Sequence, residues 1–132
     1  MNHAWTALAL LVATSAQAET AAELMARYQQ EARLSDASFA ASAQRGAQFF
    51  RQAGSKDWHC NTCHTDNPAA PGKHATTGKA IEPLAPAANP ARFSKADKVE
   101  KWFKRNCNDV LERACTPAEK SDLLAYLQGV KP

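Results

Sequence analysis

Methionine is almost missing. Met1 and Met25 are the only two in 132 residues, so no thioether side chain is on offer beyond position 25. Aromatic residues make up 8%, a thin supply for the core of a chain this size, and apolar mass is left to be contributed by something bound. No stretch alternates apolar and polar residues over a useful length, which excludes a β-sandwich or barrel. No internal repeat recurs. Excess charge is also lacking: 16 Lys and Arg against 13 Asp and Glu leave +3, too little to draw nucleic acid by electrostatics alone. With 45% hydrophobic and 22% charged residues, the composition is that of an ordinary globular domain. The length is one domain's worth.

The first apolar run, Ala4 to Ala13, is too short to cross a bilayer. Ala16-Gln17-Ala18 follows with the small-x-small pattern of a signal peptidase site. Residues 1–18 are therefore expected to be a cleaved signal peptide, although Met1-Asn2-His3 carries no basic residue. An uncleaved anchor is the alternative. The mature chain is expected to be soluble, exported and in a compartment that permits disulfides.

The organisation is helical. Thr20 and Glu23 make a capping box for a helix to about Ala32, and a looser stretch, Leu34 to Ala41, follows. A second helix is expected from about Ser42 to Ala53, stopping at Gly54. Residues 66–90 hold five of the seven prolines and read as a long loop. Ser94 to Asp97 opens a third helix, about Lys95 to Leu111. Thr116-Pro117-Ala118-Glu119 opens a fourth, running to about Gln128. The expected division is an N-terminal helix and linker over 19–41 and one all-α domain over 42–132.

The chemistry sits at Cys60-Asn61-Thr62-Cys63-His64, the C-x-x-C-H pattern that attaches c-type haem. Positions three apart on one helical turn face the same way, so Cys60 and Cys63 can both reach the vinyl edge of a porphyrin. His64 follows directly and can serve as the proximal iron ligand. A thioredoxin-like reading would need a βαβ context, which is missing. A zinc ribbon would need a second pair of suitable spacing, and Cys107 and Cys115 do not supply it.

The opposite face of the iron is less legible. No Met follows His64, which excludes the common His/Met carrier. The candidates are His74, His59, a Lys, an Asn or nothing. His59 abuts Cys60 on the proximal side, and His74 lies in the Pro-rich loop. On the third helix Val99, Trp102, Phe103, Asn106 and Val110 share one face, which is expected to point inward with Asn106 in its middle. An amide there needs a partner, either backbone or iron. Cys107 and Cys115 are either a disulfide or two free thiols. A disulfide requires the helix to end before Ala114 and the chain to fold back.

The segments Thr77 to Pro86, Asn89-Pro-Ala-Arg-Phe93, Lys101 to Asn108, Ala114 to Lys120 and Asp122 to Leu127 together resemble the sphaeroides haem protein family. These are small periplasmic class I cytochromes c. The likeness runs from about residue 42 and is strongest after residue 77. It implies a class I fold with one haem c on Cys60 and Cys63, His64 as proximal ligand and Asn106 as distal ligand. It also implies a Cys107–Cys115 disulfide, and release of the Asn on reduction, opening a site for O2, CO or NO. It further implies a dihaem cytochrome c as electron donor with a membrane cytochrome b behind it, and a periplasmic location. In such folds a Gly on the first core helix lets the last helix cross closely; Gly46 and Phe50 against Tyr126 and Leu127 match.

The switch has a physical basis. An amide oxygen is a hard, weak, neutral ligand that suits ferric iron better than ferrous. A pocket from Val99, Trp102, Phe103 and the Ile81–Pro86 loop would then admit a diatomic gas. The exposed row Lys95, Lys98, Lys101, Lys104 and Arg105 is either a solvated face or a dock for an acidic redox partner. The reading is of an electron-transfer and ligand-binding haemoprotein. The alternatives are a plain electron shuttle and an enzyme that reduces O2, peroxide or a nitrogen oxide.

Overall fold

The structure, a computed structural model, describes residues 19–132 apart from Ser55. The expected signal peptide lies outside the described residues. In chain order the elements are α1 (Ala21–Ala32), α2 (Ala43–Arg51), α3 (Cys60–His64), β1 (Gly72–Lys73), β2 (Ala80–Ile81), α4 (Ala96–Leu111) and α5 (Pro117–Gly129). The chain is predominantly helical, as its composition and capping signals imply. No helix among the described residues is long and apolar enough to cross a membrane.

Both strong capping boxes form. Thr20 Oγ1 accepts from the Glu23 amide at 3.2 Å and Glu23 Oε2 accepts from the Thr20 amide at 2.7 Å. Thr116 and Glu119 repeat the exchange at 3.2 and 2.8 Å, with Pro117 at the first helical position. α4 starts differently from expectation. Lys95, not Ser94, is its N-cap and makes no side-chain cap, because the Ser94 hydroxyl donates to the Ala91 carbonyl of the preceding turn at 2.8 Å. α2 stops at Arg51, two residues early, where Gln52 turns extended.

α1 and α2 each pack along α5. Leu24, Tyr28, Phe50, Leu124 and Leu127 are fully or almost fully buried between them. Each such side chain contributes on the order of 1.5–3 kcal/mol of transfer free energy. The α2–α5 crossing is close because residue 46 has no side chain: a Cβ there would lie 1.9 Å from the Asp122 carbonyl oxygen. Phe50 and Tyr126 meet beside the crossing with ring centroids 5.6 Å apart. Asp122, itself buried, clamps it by accepting from the Ser42 amide at 2.7 Å and from Arg45 Nε and Nη2 at 2.7 and 2.9 Å.

α4 joins this core through Val99, Phe103 and Cys107. Its end is pinned by a Cys107–Cys115 disulfide with Cα atoms 5.6 Å apart. Glu112, left-handed at φ 56°, stops the helix and reverses the chain in time for that bond. The Pro-rich segment is a loop except for a two-residue antiparallel ladder, Gly72 with Ile81 and Lys73 with Ala80.

Candidate haem site

α3 is a single turn carrying the C-x-x-C-H residues. It is fixed at both ends. The His59 amide donates to Thr62 Oγ1 at 3.0 Å, and His59 Nδ1 donates to the Arg51 carbonyl at 2.7 Å, tying the turn to the end of α2. That bond occupies His59 away from any distal role. After His64 the chain breaks sharply at Thr65, whose φ of 61° is rare for a β-branched residue. Such strain, of order 1–3 kcal/mol, clusters at functional sites. Thr65 Oγ1 helps hold the bend by donating to the Asn67 carbonyl at 2.9 Å.

The β1–β2 hairpin backs this turn. A Cβ on Gly72 would lie 2.2 Å from the Cys63 carbonyl oxygen and 3.2 Å from the His64 Cα, so only glycine lets the hairpin close against the motif. The Ala75 amide donates to Cys63 Sγ at 3.3 Å. Sequence reasoning missed Gly72, Thr65 and Ala75; the hairpin that gives them their roles has no pattern long enough to read.

Cys60 and Cys63 are free, half-buried thiols on adjacent turn positions. Burial, with neighbouring Cys63 adding to it, pushes the Cys60 thiol up to about 11. Burial first, and then the charge of Arg92, lowers the His64 imidazole to about 4. His64 is thus neutral near pH 7, with a lone pair available for a metal. Among the described residues no three His, Cys, Asp or Glu side chains gather as a protein-only metal site. Two thiols that can form thioethers and one neutral imidazole therefore fit a group that brings its own equatorial ligands, as haem does.

The expected inward stripe of α4 splits in two. Val99 and Phe103 belong to the core, where the Phe103 ring stands edge-on to Tyr28 at 5.8 Å, and Cys107 is drawn in beside them by its disulfide. Trp102, 49% exposed, and Asn106, also exposed, lie on the adjoining strip one turn apart. The expectation that Asn106 points into the protein core is corrected accordingly, because Tyr28 and the disulfide claim the neighbouring face. Outside this strip, the Arg105 guanidinium lies 5.6 Å from the Trp102 ring centroid.

The other ligand candidates have different occupations. Met25 packs between α1 and α5, where Gln128 Nε2 approaches its sulfur at 3.5 Å. His74 Nδ1 accepts from the Thr76 and Thr77 amides, each at 3.2 Å, which spends that nitrogen inside its own turn. Its ring borders an open cleft of about 380 Å³ that also takes in Trp58, Arg105 and Asp109.

Comparison with known proteins agrees with this geometry. The family described as a domain of unknown function, DUF1924, matches residues 36–127. The chain is 50% identical over 91 residues to cytochrome c-type protein SHP of Cereibacter sphaeroides, covering 66% of this chain and 70% of that protein. It is 49% identical over 78 residues to cytochrome c'' of Methylophilus methylotrophus, covering 59% of this chain and just over half, 54%, of that protein. The crystal structure of oxidised M. methylotrophus cytochrome c'' superimposes with a TM-score of 0.80 at 39% identity, covering 85% of this chain and 95% of the other. The structure of oxidised SHP, an oxygen binding cytochrome c, does so with a TM-score of 0.71 at 44% identity, covering 82% and 95%. A solution structure of cytochrome c'', concerned with haem-ligand detachment, gives 0.76 at 38%, covering 85% and 94%. The chain belongs to the DUF1924 family and, within the helical c-type cytochromes, to the group of SHP and cytochrome c''.

Proposed function

We propose that this chain is an exported, periplasmic monohaem cytochrome c with a distal ligand that leaves on reduction. Residues 1–18 are the signal peptide, 19–41 the N-terminal helix and linker, and 42–132 the cytochrome domain. Cys60 and Cys63 hold the haem by thioether bonds, His64 is the proximal ligand and Asn106 the distal one. When bound, haem c would supply an iron that carries one electron and takes a small ligand once Asn106 has left.

The observation that carries the reading is the uncovered strip of α4. Asn106 stands there beside Trp102, on a helix whose next residue is locked by the Cys107–Cys115 disulfide. The amide oxygen of Asn106 is a neutral, weak donor, so it would hold ferric iron more firmly than ferrous iron. Once free, Asn106 can donate from its amide nitrogen to a diatomic ligand such as O2, CO or NO. Trp102 offers an apolar wall beside it. Val99 and Phe103 support the helix from the core side instead of lining the ligand's space.

Detachment in cytochrome c'' and oxygen binding in SHP support the redox-linked reading. A dihaem cytochrome c feeding electrons from a membrane cytochrome b is the proposed donor. The exposed lysines of α4 offer it a basic face. The proposed role is electron transfer and gas binding.

The test is absorption spectroscopy of the ferric and ferrous holoprotein, with and without CO. A high-spin ferrous spectrum that shifts with CO is expected. A ferrous form that stays low-spin and ignores CO would overturn the switch and leave a plain shuttle. Replacing Asn106 by Ala should make the ferric form high-spin while the covalent haem remains.

A further inference from the structure

Arg92 lies in the turn before α4, half-buried. Its Nε donates to the Pro83 carbonyl at 2.9 Å and its Nη2 to the Glu82 carbonyl at 2.7 Å. Its Nη1 has no hydrogen-bond partner among the described residues, and no carboxylate there comes within ion-pair distance of the guanidinium. Burial lowers its proton affinity, and Glu82 opposes that only through space.

Carbonyls orient a guanidinium without neutralising it. A cation taken partly out of water and left without an anion is destabilising, so such a group normally has a charged partner. Arg92 borders a pocket of about 210 Å³ with Glu19, Thr20, Pro86, Phe93 and Ser94. Among the described residues no carboxylate pairs with it: Glu19 borders the same pocket but lies 3.9 Å from Arg27. The acids that reach the interior are engaged elsewhere: Asp122 with Arg45, Glu100 with Lys120, and Glu119 with Arg113. The 82–85 loop that Arg92 grips is tied through the Leu84 and Ala85 amides to the Pro68 carbonyl, four residues past His64. A guanidinium oriented by two carbonyls, with no ion-pair partner among the described residues, calls for an anion carried by the haem itself, and haem carries two propionate carboxylates.

We propose that Arg92 is a haem-positioning residue whose free Nη1 edge binds one propionate carboxylate while its other nitrogens hold the 82–83 backbone. The inference rests on haem attachment at Cys60, Cys63 and His64. It adds a link between the cofactor's carboxylate edge and the loop beneath it. The Leu84 and Ala85 amides of the same loop donate to the Pro68 carbonyl at 2.8 and 2.9 Å, so the loop is held from both sides. The fork geometry matters, since Arg presents parallel donors where Lys presents a point charge.

The experiment uses holoprotein with haem labelled by carbon-13 at the propionate carboxyls, as wild type, R92Q and R92K. Protein mass and absorption first establish covalent haem in each. Infrared bands of the labelled carboxyls are then followed against pH. One propionate should titrate about 1–3 pH units higher in R92Q than in wild type, with the other unchanged and R92K in between. A loop-anchoring role alone would lower thermal stability and leave both titrations in place, which would overturn the proposal. A second measurement needs no variant. In wild type labelled with nitrogen-15 arginine, dipolar recoupling should place a guanidinium nitrogen within about 4 Å of one propionate carbon, the range of a direct ion pair. No recoupling would refute the contact even if R92Q fails to fold. A wild-type mass lacking haem would mark failure of the haem reading itself, and would take this proposal with it.

Discussion

The Cys107–Cys115 bond offers the sharpest test of how the fold serves the site. The two residues are eight apart in sequence, with Cα atoms at 5.6 Å, and both are buried. Closing so short a loop removes about 8 cal/mol/K from the unfolded chain, or about 2.5 kcal/mol at 25 °C. Replacing both by Ala in the holoprotein removes that constraint and two buried sulfurs, without leaving a polar group behind. With a urea slope of about 1.5 kcal/mol/M, the unfolding midpoint should fall by about 1.5–2 M. A drop below about 0.5 M would refute the loop-entropy reasoning. The second readout is the ferric spectrum. Asn106 precedes the bridge directly, and α4 stops at Leu111, so loss of the bridge lets the last turn of the helix fray. The ferric high-spin fraction should therefore rise in the variant well below its unfolding midpoint. If stability falls as calculated while the spectrum stays that of the wild type, the disulfide serves the fold alone, and the claim that it positions Asn106 is wrong.

G46A should force α2 and α5 apart, since the new Cβ would sit 1.9 Å from the Asp122 carbonyl oxygen and 2.9 Å from the Tyr126 Cβ. A loss of about 3 kcal/mol is expected, read as a melting point at least about 10 °C lower; an unchanged melting point would contradict the crossing. In haem-free protein Cys60, raised from 9.0 to about 11, should carry on the order of a hundredfold less thiolate than an ordinary cysteine. Timed alkylation at pH 8 with mass spectrometry should show it slowed by about tenfold, since the more basic thiolate is the better nucleophile, and ordinary reactivity would refute the burial. Burial raises the Glu119 carboxyl, but the Arg113 fork and Thr116 outweigh it, so the net displacement is downward. The folded form then binds the proton less readily than the unfolded one, and the stabilisation is present above the ordinary carboxylate value and lost as pH falls through the lowered one. E119Q should cost about 1–2 kcal/mol near pH 7 through the lost fork and cap, and its deficit against wild type should shrink below about pH 4; a deficit independent of pH would refute it.

What the sequence made legible is what depends on spacing within one turn. Thr20 with Glu23, Thr116 with Pro117 and Glu119, and Cys60 with Cys63 and His64 act over three or four residues, and each forms as the local chemistry implies. The phase of α4 is a different problem. Val99, Trp102, Phe103, Asn106 and Val110 fit one apolar arc, and nothing within that helix says which edge of the arc meets the core. Tyr28, some seventy residues earlier, settles it by taking Phe103 edge-on, and its hydroxyl donates to Glu100 on the same helix. Lys120 then joins Glu100 from α5 at 2.8 Å. These contacts turn Val99 and Phe103 inward and leave Trp102 and Asn106 on the adjoining flank, where a flat cofactor can meet them. The correction strengthens the functional reading, since an amide buried among Leu24, Tyr28 and Leu124 would have no route to an iron, whereas an amide on the uncovered flank has one. Arg92 was illegible for a related reason. Its role lies in what it lacks, and only the folded chain reveals that two carbonyls hold its guanidinium while no carboxylate meets it. A residue's partners can be guessed from spacing when they sit one turn away; a missing partner becomes visible only in the folded chain.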